Sequence, residues 1–199
     1  MTLGANPEET IIAGTGGIYY APTGTAFPAS ADDPIDGDDW TATGLFNEDG
    51  LSVKISPQSK EFFSWQSQDA TRRKVKRAMK SVTAKMQQFN RANIVLALGG
   101  AVEGTTDDWT FWPPADGDAT PEWAFIVEVV DGDKVHRFCV FRGTADADVD
   151  LVFNDDTMSE IPVTVSFLAP GELEDPDHPG VSWFWQSNDP ALDESEGDT

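Results

Sequence analysis

Apolar and polar side chains alternate along several short segments of this chain, and this period of two favours half-buried β-strands. The alternation runs through residues 51–56, 82–86, 146–153 and 161–167. Because successive side chains of a strand point to opposite faces, each segment can bury one face against a core. We therefore predict that these segments are strands.

Two longer apolar runs are separated by a strong hairpin signal. Trp123–Val130 and Val135–Phe141 flank Asp131-Gly132-Asp133-Lys134, in which the glycine can supply a positive φ. Both runs are apolar on both faces, so we expect one face in the core and the other against a neighbour. Further strands are predicted at the end of Ile11–Tyr20, in a ribbon of Glu61–Gln66 and Thr71–Met79 joined through residues 67–69, and at Val181–Trp185.

Only one segment is convincingly helical. Asn90 is a suitable N-cap for Arg91–Leu98, and Gly99-Gly100 can take the left-handed turn that ends a helix. A helix of this length is stable only when it is packed on a sheet. The predicted class is therefore mainly β, a sandwich or barrel with one short flanking α-helix, long loops and extended arms.

The chain length of 199 residues suits a single domain. We predict one β domain over residues 1–186, with an N-terminal arm at residues 1–10 and a possible inserted loop at residues 101–121. Residues 187–199 (SNDPALDESEGDT) are predicted to be a flexible acidic tail.

Charge is strongly segregated along the chain. Ten of the thirteen basic residues lie between Lys54 and Arg91, together with only two acidic residues, Glu61 and Asp69. That basic segment carries about +8 and the rest about −30, which gives the net charge of −22. Copies of such a chain attract one another where the basic segment meets an acidic face. We therefore predict self-assembly, with the inter-subunit contacts made by Arg72, Arg73, Lys74, Lys76 and Arg77.

The same charge balance argues against other functions. A pI near 4.1 opposes nucleic-acid binding as the main task, because most of the surface repels phosphate. No segment is long and apolar enough to span a membrane, and the sequence MTLGANPEET does not have the basic and apolar regions of a signal peptide. We expect a soluble protein without membrane contact.

The possible chemical motifs are weak. Gly14–Gly17 is not followed by the Gly-Lys-Ser/Thr of a phosphate loop, and we interpret it as part of a strand. Asp146, Asp148 and Asp150 have the spacing of a calcium loop, but Leu151 and Thr157 occupy positions that need glycine and glutamate. We interpret them as one acidic face of a strand.

The remaining candidates have no motif around them. His136 and His178 are isolated, and Cys139 lies in an apolar run. We predict no catalytic residues, no cofactor and no metal. Two alternatives stay open: a two-carboxylate glycosidase site, since accidental acid pairs are plentiful, and sugar stacking on Trp109 and Trp112 or on Trp183 and Trp185.

Several ordered motifs resemble one known family. The run TRRKVKRAMKSVTAKMQQFNRANIVLALGG (71–100) is similar to the middle of major tail tube proteins of long-tailed, siphovirus-like double-stranded DNA phages, especially those of actinobacteria. GLFNEDGLSVKIS (44–56) resembles that family's strand entry, FFSWQSQDATRR (62–73) the stretch that follows, and GIYYAPTGTAFP (17–28) its N-terminal opening. The resemblance covers about 70–80 residues of the N-terminal half, and the Trp-rich region 103–123 does not fit the family pattern.

The resemblance implies a tail-tube β-sandwich that assembles into hexameric rings stacked as a tube in the virion. It also implies contacts with tape-measure, tail-terminator and baseplate or tail-tip proteins, and passage of genomic DNA without specific binding. In a ring, Asp146, Asp148 and Asp150 would repeat as a negative belt, which we expect to face a water-filled lumen. Two other functions stay open: a secreted or virion-surface carbohydrate-binding module, and a tail-terminator or capsid-decorating protein.

Overall fold

A computed structural model describes residues 10–66, 69–105, 108–145, 149–173 and 175–192. The described residues are mainly β with one short α-helix, as predicted. The strands are β1 (Thr15–Pro22), β2 (Thr41–Ala42), β3 (Ser52–Phe63), β4 (Ala70–Met86), β5 (Ala101–Gly104), β6 (Trp109–Trp112), β7 (Glu122–Asp131), β8 (Lys134–Ala145), β9 (Ile161–Phe167) and β10 (Trp183–Ser187). The helix α1 is Arg91–Leu98, and two 3₁₀ turns are Gly171–Leu173 and Pro190–Leu192.

One antiparallel sheet in the order β2-β1-β7-β8-β9-β4-β3 forms the body. β9 and β10 occupy successive stretches of the same edge of β8, at Gly143–Ala145 and His136–Val140 respectively. The sheet curls until its two edges approach, since a Cβ built on Gly16 of β1 would lie 3.3 Å from Leu51, next to β3. The result is an incompletely closed barrel.

The inner face of the curled sheet holds the main core. Alternate residues of β4 and β9 are buried there, including Val82, Met86, Ile161 and Val165. Helix α1 adds Leu96 and Ala97 to the same core. The alternation in the sequence therefore records one buried face, as predicted for residues 82–86 and 161–167.

The caps of α1 are those predicted from the sequence. The Asn90 side chain accepts a hydrogen bond from the Asn93 backbone N–H at 2.8 Å, and Gly99 ends the helix at φ 68°. A residue with positive φ is unfavourable for side chains other than glycine, so the stop is encoded locally. Asn93 itself is buried and donates to the carbonyls of Thr43 and Gln88, at 2.8 Å each.

The outer face of the sheet is covered by the loop of residues 23–40. Phe27, Ile35 and Trp40 pack there against a second cluster that contains Cys139. The buried Arg137 fastens the loop, because its guanidinium donates to the carbonyls of Ser30 and Asp33 and pairs with Glu128 at 2.7 Å. Both faces of the β7–β8 hairpin are thus covered within one subunit, whereas the sequence analysis expected a neighbour on one of them.

The two longest strands extend beyond the body. β4 pairs with β9 only at Ser81–Met86, and the earlier part of β4 pairs with β3 alone. The predicted ribbon of residues 61–79 is confirmed, and it joins with the predicted strands at 51–56 and 82–86 into two continuous strands. We call residues 57–79 the projecting hairpin. Pro57 is tolerated because β3 is an edge strand.

Two expectations need correction. Residues 149–153 are not a strand, so that part of the predicted strand 146–153 is wrong. Val149 and Leu151 still pack on the inner core, but residues 149–153 form no strand pairing, and β8 pairs with β9 only at Val165–Phe167. The alternation therefore reflects the burial of these two side chains and not a strand. Residues 101–104 and 109–112 form a small separate β5–β6 sheet, and its status as an insertion stays a prediction.

The second correction concerns the predicted tail. Ser187 ends β10, and Asp189 is buried and pairs with Lys134 at 2.9 Å. The Asn188 side chain accepts from the Val135 N–H at 2.6 Å. Residues 187–189 are therefore bonded to β8 and the β7–β8 turn, Ala191 and Leu192 bond back to Asp189, and residues 193–199 lie outside the described part of the chain.

Replacing Asn93 with alanine tests the link between α1 and the sheet. The change leaves the buried carbonyl of Thr43 and the part-buried carbonyl of Gln88 without their donors, and the buried group alone costs about 1–3 kcal/mol. We expect the melting temperature to fall by at least about 2 °C in calorimetry, since 1 kcal/mol shifts it by about 2–4 °C at this chain length. Asn154→Ala is the matched control, because Asn154 bonds only within an exposed turn. Equal melting temperatures for the two variants would contradict this role of Asn93.

Candidate assembly interface

The projecting hairpin has two chemically different faces, which its strand register defines. Residues directly opposite on paired strands share a face. The register shifts between Gln58 and Ser59, where Lys76 is the extra residue on β4, and again between Phe62 and Phe63. Each bulge adds one residue to β4, so beyond it the β4 side chains alternate between the two faces with a shift of one residue. Hydrogen bonds agree with this assignment: Arg77 Nε donates to Gln58 Oε1 at 2.8 Å, and Arg73 Nε donates to Ser59 Oγ at 2.7 Å.

The five predicted interface cations are therefore divided. Arg72, Lys74 and Arg77 share the face that continues the outer face of the sheet. Lys54 and Lys60 of β3 lie on this same face, and Lys60 sits 5.5 Å from the ring centroid of Phe62. Arg73 lies on the opposite face, and Lys76 occupies the bulge. We call the first of these the cationic face.

These cations have little to neutralise them within the subunit. Arg72, Lys74 and Lys76 form no ion pair with any described residue, and all three are exposed. Arg77 is held by an uncharged glutamine. Like charges placed this closely repel one another unless anions come near.

The hairpin also exposes large apolar side chains. Trp65 beyond the end of β3 is 99% exposed, and Val75 and Met79 are 58% and 59% exposed. Phe62 and Phe63 are exposed as well. Apolar groups mixed with arginine are typical of surfaces that become buried on association, so the hairpin has the composition of an interface.

A family model described as "Phage tail tube protein" matches residues 3–191. The chain belongs to the phage tail tube protein family. A search of curated proteins found no match. Membership places this tail tube protein in the virion tail and implies assembly into a tube with other tail components. No helix within the described residues is long and apolar enough to cross a membrane.

The acidic residues predicted to face the lumen are only partly described. Asp146 and Asp148 lie outside the described residues. Asp150 is exposed and lines a shallow pocket with Lys85 and Glu160. The strand on which the three acids were expected to alternate is not formed at residues 149–153. Their arrangement as a belt therefore stays a prediction.

Lys85 lies near the end of β4 that is remote from the projecting hairpin. Its ammonium group is 3.3 Å from Asp49 and 3.5 Å from Glu160. The hydrogen bond to Asp49 raises the pKa of Lys85, and bonds from Asn47 and Lys85 lower the pKa of Asp49. These groups are exposed, so each pair contributes little to stability.

One buried polar cluster in the tail tube protein escaped sequence analysis. Ser187 Oγ lies 2.9 Å from His136 Nδ1, and His136 Nε2 is 4.0 Å from Asp189 Oδ2. The hydrogen bond from Lys134 lowers the pKa of Asp189. Serine, histidine and aspartate are the components of a catalytic triad, but 4.0 Å is too long for the base–acid hydrogen bond, and His136 and Asp189 are buried. The cluster instead attaches residues 187–189 to β8. His136 lies 51 positions before Ser187 in the chain, so sequence spacing gave no signal.

The other sequence candidates take structural places. Gly16 lies in β1, where a Cβ would come within 2.6 Å of the Glu128 carbonyl, so the glycine permits close strand packing. Trp183 and Trp185 pack against Phe138, at 5.9 Å and 5.0 Å between ring centroids. Within the described ranges, no three residues of the metal-binding types His, Cys, Asp and Glu converge.

The reactivity of Cys139 tests whether the outer-face cluster is packed as described. Burial raises the pKa of its thiol from 9.0 to about 12. The thiolate is the reactive form, so at pH 8 the folded protein holds about a thousandth of the thiolate present in the unfolded chain. We expect alkylation by iodoacetamide to be slower by at least two orders of magnitude in buffer than in guanidinium chloride. Similar rates under both conditions would show that Cys139 is accessible.

Proposed function

We propose that this tail tube protein assembles into stacked hexameric rings, and that the cations of the projecting hairpin join neighbouring subunits. The supporting observation is a two-stranded hairpin that leaves the body with three unpaired cations and five exposed apolar residues. In a chain of net charge −22, the abundant anions that can neutralise such a hairpin belong to other copies.

Energetics favour a repeated contact over a single strong one. An exposed ion pair contributes about 0–1 kcal/mol, so one hairpin with a few pairs holds a neighbour weakly. A ring multiplies the same contact by the number of subunits, and burial of Val75 and Met79 would add about 25 cal/mol for each Å² of apolar area removed from water. Weak ion pairs together with apolar burial leave a single subunit soluble, and their repetition around the ring stabilises the assembly.

The lumen of the proposed tube is negatively charged and repels DNA. The excess of acids on each subunit supports this, because a sliding polyanion must not adhere to the wall that guides it. Asp146, Asp148 and Asp150 are our proposed contributors to the lumen surface. Genomic DNA then passes without specific binding, and the protein acts as a structural component with no catalytic activity, cofactor or metal.

The proposed partners are other copies of the chain and, at the two ends of the tube, tail-terminator and baseplate or tail-tip proteins. A tape-measure protein would fill the lumen before DNA enters. The exposed Trp109 and Trp112 of the β5–β6 hairpin do not shift this proposal towards a carbohydrate-binding module, because the family match spans both.

Electron microscopy of the purified protein tests the assembly directly. We expect stacked rings or filaments, and class averages of end-on views with six subunits. Dispersed monomers at all protein concentrations, or single rings that never stack, would contradict the proposal and favour a binding module or a terminator.

Reversal of the cationic face tests the role assigned to the hairpin. In Arg72→Glu/Lys74→Glu/Arg77→Glu the attraction to acidic neighbours becomes repulsion, and we expect folded monomers with no tubes. The matched variant with glutamine at the same three positions removes the attraction without repulsion, so its tubes should be shorter and more sensitive to salt. Circular dichroism checks that both variants are folded. Tubes of normal length in the glutamate variant would exclude this role of the cationic face.

A further inference from the structure

The end of the body opposite the projecting hairpin carries an exposed surface that is both acidic and apolar. Val152, Phe153 and Met158 are 54%, 69% and 74% exposed. Beside them lie Asp155 and Asp156, both exposed. Glu160 completes a set that we call the acceptor surface: Val152, Phe153, Asp155, Asp156, Met158 and Glu160.

This surface has a definite shape and little internal neutralisation. Val152, Met158 and Glu160 help to line a shallow pocket of about 280 Å³, and Phe153 packs against Phe89 with ring centroids 5.8 Å apart. The side chain of Asn154 organises the turn by accepting from the backbone of Asp156 and Thr157. The carboxylates of Asp155 and Asp156 form no ion pair with the described residues.

The acceptor surface is complementary to the projecting hairpin in both charge and polarity. The cationic face of the hairpin offers unpaired cations beside exposed Phe62 and Met79, and the acceptor surface offers unpaired carboxylates next to exposed Phe153 and Met158. Apolar contacts and charge pairs of this kind select one partner over other surfaces.

Both surfaces are fixed to the same strand, which prevents them from meeting within one subunit. The pocket touches Lys85, one residue before β4 ends, and the cationic face includes Lys74. Lys74 and Lys85 are eleven positions apart, which corresponds to about 36 Å at about 3.3 Å for each residue. β4 is paired with β3 over this distance and cannot fold back. The surfaces can therefore meet only between two copies.

We infer that the acceptor surface is the site that receives the projecting hairpin of a second copy in the adjacent ring. This inference rests on the proposed role of the hairpin in assembly and adds where the hairpin binds. The contact is head-to-tail, and each copy bound this way presents a free hairpin and a free acceptor surface, so the contact propagates along the tube. If the hairpin runs parallel to the tube axis, Arg72–Arg77 of one copy lie beside Lys85 of the next copy. The length of β4 between these positions then gives a ring-to-ring repeat of about 26–43 Å.

A charge-swap experiment tests the inference. Lys74→Glu/Arg77→Glu makes the hairpin acidic, and Asp155→Lys/Asp156→Lys makes the acceptor surface basic. We expect each double variant alone to form no tubes, and the chain carrying all four changes to form tubes again. Asp38→Lys/Asp39→Lys is the matched control, since it reverses an adjacent, exposed aspartate pair on the outer-face loop and should leave tube length unchanged.

The outcomes separate the two proposals. Normal tubes from Asp155→Lys/Asp156→Lys, with none from the hairpin variant, would overturn the acceptor surface and leave the proposed function in place. Normal tubes from the hairpin variant would overturn the role of the hairpin itself. Loss of tubes in the control as well would assign the effect to net charge and also overturn the inference.

Disulfide trapping decides the matter without charge changes. In Lys74→Cys/Asp155→Cys each chain carries two new thiols, one on the projecting hairpin and one on the acceptor surface. The buried Cys139 stays unreactive. Oxidation of assembled tubes should give a ladder of covalent multimers on a non-reducing gel, and each single-cysteine variant should give monomers. Monomers from the double variant would contradict the inference, and a product that stops at dimers would indicate a two-fold contact instead.

Discussion

Strand β4 belongs to two environments at once, and this constraint governs the rest of the molecule. Its last six residues pair with β9 on one edge, contact β3 or residues 45–47 on the other edge, and supply Val82 and Met86 to the core. Its first ten residues, Ala70–Met79, pair only with β3 and are exposed. A continuous strand has no hinge between these parts, so the direction of the projecting hairpin is set by the packing of the body. The packing of the core therefore determines the direction in which the candidate interface projects.

The positive charge of the projecting hairpin determines which surfaces it can contact. A solvated row of cations with few internal anions is unfavourable in an isolated subunit, but the cost is small because water and salt screen it. The same row becomes favourable when an acidic surface of another copy approaches. Segregation of charge therefore permits a soluble subunit and a specific array, and the apolar residues on the hairpin add strength that salt does not screen.

Features encoded within a few residues could be predicted from the sequence, whereas features that depend on distant partners could not. The caps of α1 and the turn at residues 131–134 each depend on local residues, and both were predicted correctly. Residues 149–153 have the alternation of a strand because Val149 and Leu151 pack on the core, but they are not paired with another strand. The bulge at Lys76, which places Arg77 on the same face as Arg72 and Lys74, arises from the pairing of β3 with β4, which no local pattern shows.

The candidate interface shows the same limit. Counting charges located the basic segment and its five cations, because clustering is visible in one dimension. The acceptor surface was not found, since Asp155 and Asp156 are ordinary turn residues until the fold places them beside exposed Phe153 and Met158. The attachment of Asp189 to Lys134 likewise joins residues 55 positions apart and contradicted the expectation of a free tail beginning at residue 187.

The most direct measurement is a cryo-electron microscopy reconstruction of the assembled protein at side-chain resolution. We expect six subunits in each ring, a repeat of at most about 43 Å, and each projecting hairpin crossing the ring boundary so that Lys74 and Arg77 approach acidic residues of another copy. A tube in which residues 57–79 remain surrounded by solvent, with rings held together by other surfaces, would contradict the central claim.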